Sequence, residues 1–218
     1  MLALEGVHVT INAFPILRGV TLSVPPGWVV GLVGRNGAGK TTTLKSVMGL
    51  VPVHAGRIRF AGRDLVRTPA YMRARLGIGY MPEDRRLVGV LTVEENLLLP
   101  LWAVGDGRAD RLALAYRLIP EVRAMAGRRA AELSGGQQKL VAMARALITG
   151  TRLLLLDEPF EGLAPGLARR LGEVIRGLRG QGIAVLVAES DPRRVEELAD
   201  AVFIIERGEI VAPGQAPE

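Results

Sequence analysis

Two separated stretches of this chain hold the residue types that phosphate chemistry requires. The first, Gly34-Arg35-Asn36-Gly37-Ala38-Gly39-Lys40-Thr41, matches the pattern G-x-x-x-x-G-K-[ST]. Glycines at 34, 37 and 39 remove side-chain bulk, so consecutive backbone N–H groups can curl around a phosphate, with the partial positive charge of a following helix behind them. Lys40 brings a point charge for β- and γ-phosphates, and the Thr41 hydroxyl is short enough to reach a Mg²⁺ ion. Gly34, Asn36, Gly37, Ala38, Gly39, Lys40, Thr41 and Thr42 are therefore the candidate set for holding ATP. The second stretch, Leu153-Leu154-Leu155-Leu156-Asp157-Glu158, is an apolar run that delivers two acids at its end. Asp157 is placed to share the Mg²⁺ with Thr41, while Glu158 points elsewhere and is the candidate to polarise an attacking water.

A third stretch, Leu133-Ser134-Gly135-Gly136-Gln137-Gln138, opens a helical pattern with Ser134 as its N-cap. Two glycines and a helix dipole make Ser134, Gly135, Gly136 and Gln137 a second anion-seeking surface, although the first loop already serves one nucleotide. One chain thus offers two half-sites.

The elements around these stretches have the order such sites need. Leu2, Leu4, Val7, Val9 and Ile11, then Val20, Leu22 and Val24, are spaced for a hairpin-like pair of strands. Trp28 to Val33 reads as a buried strand leading into the glycine-rich turn, and the chain from Lys40 to Gly49 reads as helix. Ile58 and Phe60 suggest a short edge strand, and Gly77 to Met81 a core strand. From Thr92 to about Ile148 the pattern is helical, with breaks at Gly105-Asp106-Gly107 and Pro120. Beyond it, strand and helix alternate: Arg152 to Leu156, Pro165 to Arg179, Ile183 to Val187, Pro192 to Ala199 and Ala201 to Ile205. That alternation predicts a mostly parallel α/β sheet.

Length and composition narrow the field. With 218 residues, 49% of them hydrophobic, the chain is expected to form one domain with lobes. No apolar run approaches the ~18 residues of a membrane span, and no secretory leader is read at the N-terminus, so a cytoplasmic address is expected. Cysteine is absent, which excludes disulfides, thiol catalysis and thiolate-bound zinc. Net charge is +6, but the excess is confined to the first half: twelve basic against six acidic residues up to Pro100, and sixteen against sixteen beyond. With aromatics at 4% there is no stacking platform for nucleic acid, and none is expected as a partner.

Leu-Ser-Gly-Gly-Gln about twenty residues before an Asp-Glu-ended strand resembles the ABC ATPase family, and the resemblance runs from Met1 to Gly214. It implies a P-loop NTPase fold of ABC type, with an N-terminal antiparallel β lobe and a helical lobe of about 84–150 inserted in the α/β core, the whole of 1–218 forming one domain. It implies that Ser134 to Gln137 of one subunit cap ATP held by another, in a homo- or heterodimer. Further stretches, Gly79 to Arg86, Leu91 to Leu97 and Glu161 to Pro165, are similar to the ATP-binding subunits of branched-chain amino acid importers; those of urea or short-amide importers share much of this pattern. The implied partners are transmembrane permease subunits, a second ATP-binding subunit and, indirectly, a solute-binding protein, with the chain peripheral on the inner face of the membrane.

Three positions depart from the family. Glu83 stands where a glutamine usually touches Mg²⁺, and Ser190 where a histidine usually follows the last core strand. The aromatic that stacks on adenine has Phe14 as its nearest candidate. Glu83 and Ser190 motivate an alternative, a nucleotide-gated dimerisation module with little turnover. An ABC-type ATPase of translation or DNA repair is disfavoured because no tandem domain, coiled coil or basic arm is read, and a P-loop small-molecule kinase because Leu133 to Gln138 would have no role.

Overall fold

Strand β1 (Leu2–Ile11) pairs antiparallel with β2 (Phe14–Val24), and the tight turn between them puts Asn12 and Ala13 at positive φ. The structure is a computed structural model and describes residues 1–104 and 108–212. In β1 the apolar positions step from Leu4 to Val7 by three rather than two, which would turn the strand's face over. A bulge absorbs the extra residue: the register shifts between Leu4 and Val7, and Gly6 between them takes φ 58°. Leu2, Leu4, Val7 and Val9 all end buried, but Ile11, expected on the same face, lies beyond the core and is exposed. Strand β4 (Ala55–Phe60) adds to β1, so the strand expected at Ile58 and Phe60 has a neighbour on each side, the second being the two-residue β5 (Arg63–Asp64).

The second sheet has the order β10-β9-β3-β8-β7-β6, with β3 (Val29–Val33), β6 (Ile78–Met81), β7 (Leu153–Asp157), β8 (Ala184–Glu189) and β9 (Ala201–Glu206) all parallel. Strand β10 (Glu209–Ala212), absent from the sequence reading, runs antiparallel to β9 at one edge. β6, expected as a core strand, forms the other edge. It is buried nonetheless because a helix covers it, so closely that a Cβ on Gly79 would stand 2.1 Å from the Ala146 carbonyl oxygen. The strands' period of two sorts their side chains into two cores. Leu154, Leu156, Val185 and Val187 pack with the helical layer, and Leu153, Leu155, Ala184 and Leu186 pack with the first sheet. All four leucines of β7 are fully buried, each burial stabilising by roughly 2 kcal/mol.

Helix α1 (Lys40–Met48) follows β3 directly, and α2 (Ala70–Arg73) precedes β6. Between β6 and β7 come α3 (Val93–Val104), α4 (Arg108–Leu118), α5 (Pro120–Ala124) and α6 (Gly135–Thr149), the helical segment anticipated from the sequence. Pro120 starts α5 in its first turn, where its missing N–H costs nothing, and Pro100 lies inside α3. The break expected at Gly105-Asp106-Gly107 lies outside the described residues. Helices α7 (Pro165–Arg179) and α8 (Arg193–Glu196) complete the α/β part. Among the described residues no helix is long and apolar enough to cross a membrane.

Candidate functional site

Four parallel strands end on one edge of the sheet, and each leaves a polar segment there: Gly34 after β3, Glu83 beyond β6, Asp157 and Glu158 at β7, Glu189 and Ser190 at β8. This is the edge where open α/β sheets bind ligands. The loop after β3 needs its glycines for two reasons. A Cβ on Gly34 would meet the Ile205 carbonyl oxygen at 2.3 Å, and one on Gly39 would meet Leu17 Cδ2 at 2.9 Å. Gly37 and Gly39 also take φ of 81° and 115°. The turn after β9 closes the loop from behind, since Gly208 N–H donates to the Ala38 carbonyl (2.9 Å) and Arg18 N–H to the Gly208 carbonyl (2.8 Å).

Helix α1 starts at Gly39 with no side-chain cap and no acidic residue in its first turn, so its leading N–H groups face a cleft of about 450 Å³. Asn36, Gly37, Lys40, Thr41 and Thr42 line that cleft together with Glu83 and Glu158. Phe14 does not line it; the side chain is 71% exposed at the hairpin, and Ile16 lines the cleft in its place.

The charged groups interlock at the cleft's floor. Lys40 Nζ donates to the carbonyls of Gly34 (2.6 Å) and Arg35 (3.3 Å), and it lies 3.1 Å from Glu158 Oε1 as an ion pair without hydrogen-bond alignment. Glu158 Oε2 accepts from both the backbone N–H and the hydroxyl of Ser190, each at 3.2 Å. Glu158 itself has φ 46°, a left-handed backbone that a side-chain-bearing residue adopts only when its surroundings enforce it. Asp157 is fully buried, and its Oδ1 accepts from the Thr41 hydroxyl (3.0 Å) while Oδ2 accepts from the Tyr80 hydroxyl (3.1 Å). Burial raises the Asp157 pKa, against the pull of those two donors. No ion pair among the described residues involves Asp157, so its carboxylate has hydroxyl partners and no compensating cation.

Behind Glu158 stands a second acid. Glu189 is fully buried; its Oε1 accepts from the Phe160 N–H (2.9 Å) and its Oε2 lies 3.6 Å from Arg194. Burial, reinforced by the neighbouring Glu158, pushes its pKa up to about 8.

Ser134 to Gln137 lie apart from this cleft. Ser134 and Gly135 are exposed, Gly136 and Gln137 half-buried, and a complete capping box joins Ser134 Oγ to the Gln137 N–H and Gln137 Oε1 to the Ser134 N–H. Gly135 borders a second cavity, of about 420 Å³, with Glu83, Arg85, Lys139 and Glu161.

Comparison with known proteins settles what such an arrangement belongs to. The model of the ABC transporter family matches residues 17–161. BraG of Pseudomonas aeruginosa, a high-affinity branched-chain amino acid transport ATP-binding protein, is 36% identical over 97% of this chain and 91% of its own length. This chain belongs to the ABC transporter family. It is an ABC-type ATPase. LptB of Escherichia coli, a lipopolysaccharide export system ATP-binding protein, is 35% identical over 93% of this chain and 86% of its own. A solved ATP-binding cassette of an ABC transporter, in its ADP conformation, superposes with a TM-score of 0.84 at 29% identity, covering all of this chain and 91% of that one.

Three residues of this ABC cassette escaped the sequence reading. Tyr80 was one apolar-looking position of a strand, and its hydroxyl contact with Asp157 exists only because β6 and β7 are neighbours. Glu189 ends a strand and reads as a solvated acid. Lys139 did carry a signal, as a lone charge at the head of the apolar run Leu140 to Ala144 in α6.

Proposed function

We propose that this chain is the ATP-hydrolysing subunit of an ABC importer for branched-chain or other hydrophobic amino acids. In this reading it works on the cytoplasmic face of the membrane as one half of a pair of ATP-binding subunits. The whole of 1–218 acts as a single cassette with its helical lobe at about 84–150, and a solute-binding protein acts on it only indirectly, through the permease subunits. The observation that carries the hydrolytic part of this reading is the placement of Glu158: buried, strained, and held by Lys40 and Ser190 at the floor of the phosphate cleft.

Each side chain then has a task. Backbone N–H groups of the loop and of the first turn of α1 bind the phosphates, and Lys40 turns from Glu158 toward them. Glu158, released from that ion pair, accepts a proton from the attacking water, and Ser190 holds its other oxygen in place. Thr41 and Asp157, with Glu83 at the cleft's rim, would hold Mg²⁺; the uncompensated Asp157 carboxylate beside the Thr41 hydroxyl fits a small hard cation. When bound, Mg²⁺ supplies charge neutralisation of phosphate oxygens. Ser134, Gly135, Gly136 and Gln137 serve the ATP of the partner subunit.

The cargo reading draws on BraG, whereas LptB at similar identity serves export, so recovery of the permease subunits bound to this chain in native membranes decides between them. The substitution Glu158→Gln tests the chemistry. Phosphate release under saturating ATP should fall by about 10²- to 10⁴-fold while ATP still binds; unchanged release would remove Glu158 from its role. A second reading, a dimerisation switch with little turnover, draws on Ser190, which holds Glu158 through neutral donors only. Negligible phosphate release by the unaltered complex would favour it.

A further inference from the structure

The buried side of α6 is apolar apart from Lys139 and, at its last residue, Thr149. Lys139 is 6% exposed, and an ammonium that deep is costly unless its donors are used. Two of its three donors are. Nζ gives hydrogen bonds to the carbonyl oxygens of Glu158 (2.7 Å) and Glu161 (2.5 Å). These two carbonyls bracket the turn in which Glu158 takes its left-handed backbone. On the other side the turn is fixed to β8, through the Glu158 N–H on the Ala188 carbonyl (2.9 Å) and the Phe160 N–H on Glu189. The turn is thus stapled twice, to β8 and to the helix that carries Ser134 to Gln137 at its head.

The charge matters as well as the donors. Burial disfavours the ammonium, while the carboxylates of Glu161, Glu189 and Glu158 favour it. Ser190 contributes no charge to this acidic group, so the cations next to it are Lys40 in the cleft, Arg194 from α8 and Lys139 from behind, with Arg85 as a like charge near Lys139. We propose that Lys139 is a positioning residue for ATP hydrolysis: its ammonium, presented by α6, holds the turn 158–161 so that the Glu158 carboxylate keeps its place in the cleft when Lys40 turns to the phosphates. The proposal rests on the reading of Glu158 given above. Lys139 does not itself line the nucleotide cleft and reaches it only from behind, through the backbone carbonyls of Glu158 and Glu161, so its removal should slow turnover without weakening nucleotide binding.

The experiment compares the full chain with Lys139→Met, Lys139→Arg and Glu158→Gln. Steady-state ATP hydrolysis, titration with a fluorescent ADP analogue and amide hydrogen exchange are measured on each. For Lys139→Met, kcat should fall at least ~10-fold with KM and ADP affinity changed less than ~2-fold, because only the aim of a reacting group is lost. Lys139→Arg, which restores a charged donor, should recover to within ~3-fold of the parent. Amides of residues 158–163 should exchange faster in Lys139→Met, and those of the phosphate loop unchanged. A kcat in Lys139→Met equal to the parent's, a loss of ADP affinity in step with kcat, or no recovery in Lys139→Arg would each overturn the proposal. Should Lys139→Met fail to fold, Lys139→Gln, a neutral donor of similar length, is held to the same criteria. Activity retained by Glu158→Gln would instead overturn the underlying reading, and activity lost there but kept in Lys139→Met would overturn this inference alone.

Discussion

Helix α1 begins at Gly39 with no side-chain cap, whereas α6 begins at Ser134 with a complete capping box. Both are helix N-termini preceded by glycine or serine, and both resemble anion sites in the sequence. At α1 the leading N–H groups are left to a ligand, inside a cradle whose glycines are forced by contacts with Ile205 and Leu17. At α6 the Ser134 and Gln137 side chains satisfy N–H groups locally, on an exposed surface. The first site leaves its N–H groups to whatever enters the cleft. The second is closed by its own hydrogen bonds and, on the function proposed above, would exchange them for those of a phosphate. On that proposal one polypeptide carries a standing receptor and a conditional one, which suits a subunit whose second surface acts only when another molecule faces it.

Replacing one residue on each side tests that contrast. Lys40→Met should have the larger effect: ADP affinity falls at least ~10-fold, and stability drops by a few kcal/mol because Glu158 is left as a buried carboxylate without its cation. Nucleotide titration and a denaturant melt measure both, and undiminished affinity would break the assignment of α1 as the receptor. Ser134→Ala should leave ADP affinity of the chain within ~2-fold and cost about 1 kcal/mol of stability through the lost cap, while ATP-driven association of subunits weakens. A fall in ADP affinity equal to that of Lys40→Met would erase the distinction between the two sites.

A further effect, confined to stability and its dependence on pH, concerns Glu189, behind the turn at Glu158. Its folded pKa of about 8 stands above the ordinary 4.5, so the stability it contributes is complete below about pH 4.5 and lost as pH rises through 8. Glu189→Gln cannot ionise. Its melting temperature relative to the parent should therefore climb by roughly 10 °C between about pH 5 and 8 and then level off. A difference that stays flat with pH would mean that Glu189 is already ionised in the folded chain.

What could be read from the sequence was whatever is encoded locally. The helix predicted at Pro165 to Arg179 matches α7 residue for residue, and β7 and the phosphate loop needed only a run of leucines and a pattern of glycines. Neighbour relations were not legible. β6 looked like a central strand because α6 buries it, although the sheet ends there, and β10 is half exposed and too short to announce itself. The site divides in the same way. Lys40, Thr41, Asp157 and Glu158 followed from their motifs, whereas Tyr80, Lys139 and Glu189 act through partners 77, 19 and 29 residues distant.

The turn at Gly208 has a consequence for how this molecule comes into being. A ribosome makes the glycine loop early, yet its backing, Ile205 against Gly34 and Gly208 on Ala38, emerges more than 160 residues later. The glycine loop can therefore take its backed form only once the segment around Ile205 and Gly208 has also been made and has packed against it.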